Sequence, residues 1–252
     1  MEGRDTAIPK LLEQHGGRLY GLGLKLCGGP EEAEDLVQET FLQAYRKWDQ
    51  FEGRSKPSTW LYTIASRVCQ RMHRLRAGQP EKIGSLEDLV PFGDREMAVP
   101  PEGPLDAQIR KEGRARIEQA IASLPIDFRM PLVLKDIVGF PVAEVAAILG
   151  LKEATVKTRV HRARLRLRQE LTAEFETRAL PPPAYPKQVC LDLLAAKQEA
   201  LDRGVEFPRE VICDRCRAVF ASLDLAGDIC AALGQGELPA ELKKRLIERL
   251  SA

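Results

Sequence analysis

Hydrophobic positions along this chain fall into long stretches of helical periodicity separated by short stretches with none. In EEAEDLVQETFLQAYRKW, residues 31 to 48, Ala33, Leu36, Val37, Thr40, Phe41, Ala44 and Tyr45 recur at three- and four-residue spacing and mark one apolar helix face. In SKPSTWLYTIASRVCQRMHRLR, Trp60, Leu61, Ile64, Ala65, Val68 and Met72 form an inner stripe, with Arg67, Arg71 and Arg74 outside it. The stretch FPVAEVAAILGLKEATVKTRVHRARLRLR breaks at Gly150 into a short helix centred on Ala146 and a longer one containing Val156. That spacing predicts a helix-turn-helix: the small Ala lets the helices cross closely, Gly150 supplies the positive φ of the turn, and Val156 packs back. Residues 8–77 and 105–178 thus read as two helical units. Residues 78–104, rich in Gly and Pro, read as a flexible linker, and ALPPPAYP, 179 to 186, as a stiff spacer before a third helical unit, 187–252. The expected fold class is all-α, without internal repeats.

Composition supports helices: 30% of the 252 residues are charged and only 6% aromatic. No apolar run approaches the roughly 20 residues of a membrane span and the first ten residues lack a signal-peptide core, so a cytoplasmic protein with no membrane partner is expected. Net charge is only +1, but charge is segregated. Residues 30–45 carry Glu31, Glu32, Glu34, Asp35 and Glu39 with no base, whereas 53–80 and 154–169 each carry six bases and no acid. Two basic blocks about 80 residues apart suggest two contacts with nucleic-acid phosphates.

The acidic face of the 31–48 helix suits either plain solvation or docking of a basic protein. Trp60 and Tyr62 sit just before Arg67, Arg71 and Arg74 of the first basic block, where aromatics stack on unpaired bases or bury in a core with equal ease. In the helix-turn-helix, Thr155, Lys157, Thr158, Arg159 and Arg162 lie near the first turns of the second helix, the part that enters a major groove.

Six cysteines in a reducing compartment argue against structural disulfides. Cys27 and Cys69 lie on apolar stripes and read as core residues. Cys213 and Cys216 form a C-x-x-C, preceded by Cys190 and followed by Cys230, all within 66 residues, and no histidine follows His161. An all-thiolate set favours a soft or borderline ion, zinc or cadmium first and copper(I) as an alternative. A thiol redox enzyme on Cys213 and Cys216 would lack both a βαβ frame and a general base, and no catalytic residue is expected. A redox switch and a structural zinc staple remain open beside metal sensing.

Taken in order, AEDLVQETFLQAYRKWDQFEG, TWLYTIA and LPIDFRMPLVLKDIVGFPVAEVAAILGLKEATVKTRVHRARLRLR strongly resemble an extracytoplasmic-function sigma factor of bacterial RNA polymerase over about residues 8–172. The resemblance implies that Glu34, Asp35, Gln38 and Glu39 face the β′ clamp helices of core polymerase, and that the second unit meets the β flap. It implies that Trp60, Tyr62, Arg67, Arg71 and Arg74 melt and read minus-10 promoter DNA, and that Thr155 to Arg162 read the minus-35 element. Residues 187–252 resemble a zinc-binding anti-sigma domain, with Arg209 at the position of its histidine and Cys230 as replacement ligand. A sigma factor with such an appendage resembles the CorE-like group, which implies metal bound at Cys190, Cys213, Cys216 and Cys230, control of metal-stress genes, and no need for a separate anti-sigma protein. A conventional helix-turn-helix repressor or activator is the competing reading.

Overall fold

The computed structural model describes residues 3–74, 83, 89–90, 92, 96–100, 107–173, 175–208, 212–234 and 236–251. The elements follow the periodicity: α1 (Arg4–Cys27), α2 (Pro30–Lys47), a 3-10 turn (Trp48–Gln50), α3 (Pro57–Arg74), α4 (Ala107–Ser123), α5 (Ile126–Leu132) running into a π-helical turn (Val133–Ile137), α6 (Val142–Leu149), α7 (Glu153–Thr172), α8 (Lys187–Arg203), α9 (Asp214–Ala232) and α10 (Ala240–Ser251). The expected all-α class is what the chain adopts. Two three-residue strands, β1 (Glu96–Ala98) and β2 (Thr177–Ala179), pair antiparallel with Met97 opposite Arg178.

Packing divides the chain into two compact units rather than three. Residues 1–79, 129–156 and 231–252 make the first, and residues 80–128 and 157–230 the second. In the first unit α1, α2 and α3 pack together. The predicted stripe of α2 is buried from Ala33 to Ala44, and Tyr45 instead donates its hydroxyl to Asp5 at 2.8 Å. Gly23 lets the first two helices touch: a Cβ there would lie 2.8 Å from Ala33 Cα. Gly23→Ala is therefore expected to lower the denaturant midpoint of the chain, by about 1–3 kcal/mol of stability for an overpacked core position. α10 lays Leu242, Leu246 and Leu250, all buried, toward α1 and α2. It adds ion pairs from Lys243 to Glu13 at 2.8 Å and from Arg245 to Glu34 at 2.5 Å.

In the second unit the expected flexible linker contributes to a core. Leu89, Phe92 and Met97 are buried in one cluster with Leu165 of α7, Cys190 and Leu194 of α8, and Cys216, Val219, Phe220 and Leu223 of α9. Burying three large apolar side chains outweighs the loop entropy that Gly and Pro would otherwise favour. The proline spacer is tied down as well: Arg215 donates to the carbonyl oxygens of Pro181 at 2.6 Å and Leu180 at 2.9 Å.

Candidate nucleic-acid interface and thiol clusters

Gly150 ends α6 at φ 65°, as the helix-turn-helix spacing requires, and Val156 is fully buried. Pro141 starts α6 without a side-chain cap. Within the first unit α6 packs against α3: Lys56 Nζ lies 2.6 Å from Glu144 Oε1, Thr59 donates to the same carboxylate at 3.3 Å, and the Tyr62 and Phe140 rings meet edge-on at 4.8 Å.

Of the residues expected to read minus-10 DNA, Arg67 and Arg71 are exposed. Arg71 pairs with Glu39 of α2 at 3.1 Å. Trp60 is half-buried in a cluster with Trp48 and Phe51, at centroid distances of 5.7 and 5.2 Å. Arg74 closes α3, and its side chain lies outside the described residues. Tyr62 is a correction: it is 1% exposed, and burial drives its hydroxyl pKa far up, so it packs in the core and does not stack on a base. The missed signal is a second helical row, Tyr62, Ser66, Cys69 and His73, all buried. On α2, Asp35 is exposed and Glu34, Gln38 and Glu39 are half-buried. Glu39 is held below the usual carboxylate range by the Gln43 hydrogen bond, against burial and with help from Arg71.

The basic block of α7 is engaged from α8. Lys157 reaches Glu199 at 2.8 Å; His161 Nε2 lies 2.9 Å from Asp202; Arg164 lies 2.8 Å from the same carboxylate. Arg168 donates to Ser222 of α9 at 3.0 Å. Asp202 is 2% exposed in its side chain. Burial alone would raise its pKa, but the His161 hydrogen bond and the Arg164 charge outweigh burial and hold it below the usual range. Thr158 and Arg162 line a groove whose opposite wall is Leu191, Leu194, Ala195 and Gln198. Arg159 faces Asp127 at 3.5 Å and Thr155 is half-buried. Most of the side chains expected on minus-35 DNA are thus in contact with protein in this conformation.

The C-terminal thiols divide. Cys216 is buried, and its thiol is pushed far up by burial and by the neighbouring Cys213 and Cys190, which also hydrogen-bond to it. Cys213 sits just ahead of α9. Burial opposes its ionisation, but backbone N–H groups of Cys216, Ala184 and Arg215 overcome that and lower its pKa. Cys230 is a correction: it lies on α9 fourteen residues beyond Cys216, which at 1.5 Å per residue is about 21 Å, too far to share an ion. Arg209 lies outside the described residues. Among the described residues, the set whose ligand atoms all lie within 4.8 Å of one another is Cys27, Cys69 and His73, of which the two cysteines read as core residues from the sequence.

An acidic helix, an aromatic helix with arginines on its exposed side and a helix-turn-helix together define a helix-turn-helix DNA-binding protein. The Sigma-70 region 2 family matches residues 11–78 and Sigma-70 region 4 matches residues 114–167. The ECF RNA polymerase sigma factor SigW of Bacillus subtilis is 33% identical over 177 residues, covering 68% of this chain and 91% of that one. SigE of Mycolicibacterium smegmatis is 37% identical over 177 residues, covering 67% of this chain; the chain spans 64% of SigE's length. This chain belongs to the ECF RNA polymerase sigma factors, which are transcription initiation factors rather than enzymes. Among solved structures, it is similar to the sigma factor RpoE with the anti-sigma factor NepR from Bartonella quintana, at TM-score 0.47 and 29% identity over 66% of this chain and 96% of that one. It is similar also to CnrH with the cytosolic domain of CnrY, at TM-score 0.49 and 25% identity over 67% and 89%. RpoE is there in complex with the anti-sigma factor NepR and CnrH with the cytosolic domain of CnrY, against the expectation that no separate anti-sigma protein is required. No helix among the described residues is long and apolar enough to cross a membrane.

Proposed function

We propose that this sigma factor is held in a closed, non-reading conformation by its own C-terminal helices and is released by a soft metal ion at Cys190, Cys213 and Cys216. The observation that carries the reading is the seating of Glu199 and Asp202 on Lys157, His161 and Arg164, where carboxylates take the place of DNA phosphates. On the other unit α10 engages Glu34, a residue of the proposed polymerase-docking face, and the exposed Arg71 pairs with Glu39 of that face. When open, the factor docks on core polymerase through Glu34, Asp35, Gln38 and Glu39 and contacts promoter DNA through Trp60, Arg67, Arg71, Arg74 and the first turns of α7. Control by a separate anti-sigma protein is compatible with this arrangement.

The thiol set suits a thiophilic ion: Cys216 hydrogen-bonds with both Cys190 and Cys213, and Cys213 is already biased toward thiolate by backbone N–H groups. A bound ion supplies charge neutralisation that lets all three ionise. Because Cys190 and Cys216 share a core cluster with Leu165 of α7, drawing the thiols together repacks the wall against which the DNA-reading helix rests. The metal-bound form is the active one in this reading, and zinc, cadmium and copper(I) are the ions to compare; metal-stress genes are the matching targets.

The test uses purified full-length chain, its metal content and a fluorescent promoter duplex. Metal should be bound and should tighten promoter binding in the parent and in Cys230→Ser. The C190S/C213S/C216S variant should lose both effects. An unchanged metal response in that variant refutes the sensor.

A further inference from the structure

The buried cluster at the end of α1 has no part in that scheme. Cys27 is the last residue of α1, while Cys69 and His73 stand one turn apart on α3; their exposures are 2%, 0% and 7%. The Cys27 and Cys69 sulfurs are 3.9 Å apart. With a metal–sulfur bond of about 2.3 Å, two thiolates on one ion stand about 3.8–4.0 Å apart, depending on whether the centre is tetrahedral or trigonal. His73 Nε2 lies 2.7 Å from the carbonyl oxygen of Leu26. A carbonyl only accepts, so Nε2 carries the proton and the ring's lone pair is on Nδ1, the tautomer that second-shell carbonyls impose on metal-binding histidines. Arg129, also buried, donates to the same Leu26 carbonyl at 3.2 Å.

We infer that Cys27, Cys69 and His73 form a second metal site, inside the polymerase- and minus-10-binding unit, selective for a soft monovalent ion such as copper(I). Charge decides the class. The buried Arg129 guanidinium, hydrogen-bonded to the carbonyl of the residue before Cys27, places one positive charge beside the cluster. Two thiolates, one monovalent ion and Arg129 sum to zero, whereas a divalent ion adds one more positive charge to a low-dielectric interior, which disfavours it. Three donors also satisfy copper(I) but leave the usual fourth position of structural zinc unfilled. The ion joins the C-terminal end of α1 to the last turns of α3, the helix that carries Arg67 and Arg71 on its exposed side.

Anaerobic titration of the full-length chain with copper(I), against a chromogenic copper(I) chelator, tests the inference. The C190S/C213S/C216S variant removes the proposed sensor thiols, leaves Cys230 as the one thiol outside the cluster, and should still take up one equivalent, with a thiolate-to-copper absorption band and a rise in melting temperature. Adding Cys27→Ala and Cys69→Ala should abolish all three signals, and His73→Asn should weaken binding at least tenfold, while helix content by circular dichroism stays that of the parent. Zinc should bind the C190S/C213S/C216S variant at least tenfold more weakly than copper(I). The inference is overturned if that variant takes up no copper(I), if the additional alanine changes leave uptake as it was, or if mass spectrometry finds Cys27 and Cys69 joined as a disulfide, two hydrogens lighter, in place of metal. None of these outcomes depends on the sensor cysteines, so the two sites fail or stand separately.

Discussion

Asp202→Ala is expected to tighten binding of the metal-free chain to promoter DNA by about a hundredfold. Asp202 is almost fully buried and meets both Arg164 at 2.8 Å and His161 at 2.9 Å. Its removal leaves the Arg164 guanidinium, 8% exposed, without its carboxylate. Breaking a buried pair from one side costs about 3–5 kcal/mol, and each 1.4 kcal/mol or so is a factor of ten in the closed-to-open ratio. Glu199→Ala removes a half-exposed partner of Lys157 and should change binding less than about fivefold, since such pairs contribute about 0–1 kcal/mol. The contrast between the two variants separates a specific buried clasp from a general loss of negative charge. Acid should act in the same direction as Asp202→Ala. Because the folded-state pKa of Asp202 is depressed, its contribution is fully present above the usual carboxylate range and is lost as pH falls through the lowered value. The measurement is fluorescence anisotropy at one fixed salt concentration, with helix content as the fold control. A well-folded D202A chain that binds DNA no more tightly than the parent would sink the clasp.

How much of this was legible beforehand follows from the range of each interaction. The stripe of α2 and the turn at Gly150 are local: every residue from Ala33 to Ala44 in the stripe is buried, and Gly150 has the positive φ its position demands. The clasp joins residues about forty positions apart, Lys157 to Glu199 and His161 to Asp202, and nothing in either segment alone marks a partner. The linker misled because Gly and Pro advertise loops, and Leu89, Phe92 and Met97 stand among Pro91, Gly93 and a charged run although they reach one core. Cys230 misled in a way the pattern contained. The helix Asp214–Ala232 holds both Cys216 and Cys230, and its length forbids the joint ligation that counting cysteines suggests. The Cys27, Cys69 and His73 cluster needed the crossing of α1 and α3, although Cys69 and His73 at i, i+4 already marked one face.

Reversing charge on α2 is expected to abolish capture of core RNA polymerase. Asp35 is exposed and Glu39 half-buried, and neither belongs to the buried stripe, so the D35K/E39K chain should keep its fold apart from losing the Arg71 and Gln43 contacts of Glu39. Surface changes of this kind shift stability by about 0.5 kcal/mol or less, whereas like charges brought together at an interface cost several kcal/mol, so affinity should fall a hundredfold or more. Arg245→Ala should act the other way. It frees Glu34 from α10 and should speed polymerase association, with an effect that shrinks as salt screens the pair. Surface-immobilised core polymerase, probed with parent, D35K/E39K and R245A at two salt concentrations, reads both changes. If D35K/E39K binds like the parent, α2 is not the docking helix. If R245A binds no faster at either salt, the Arg245 pair does not shield Glu34 from polymerase.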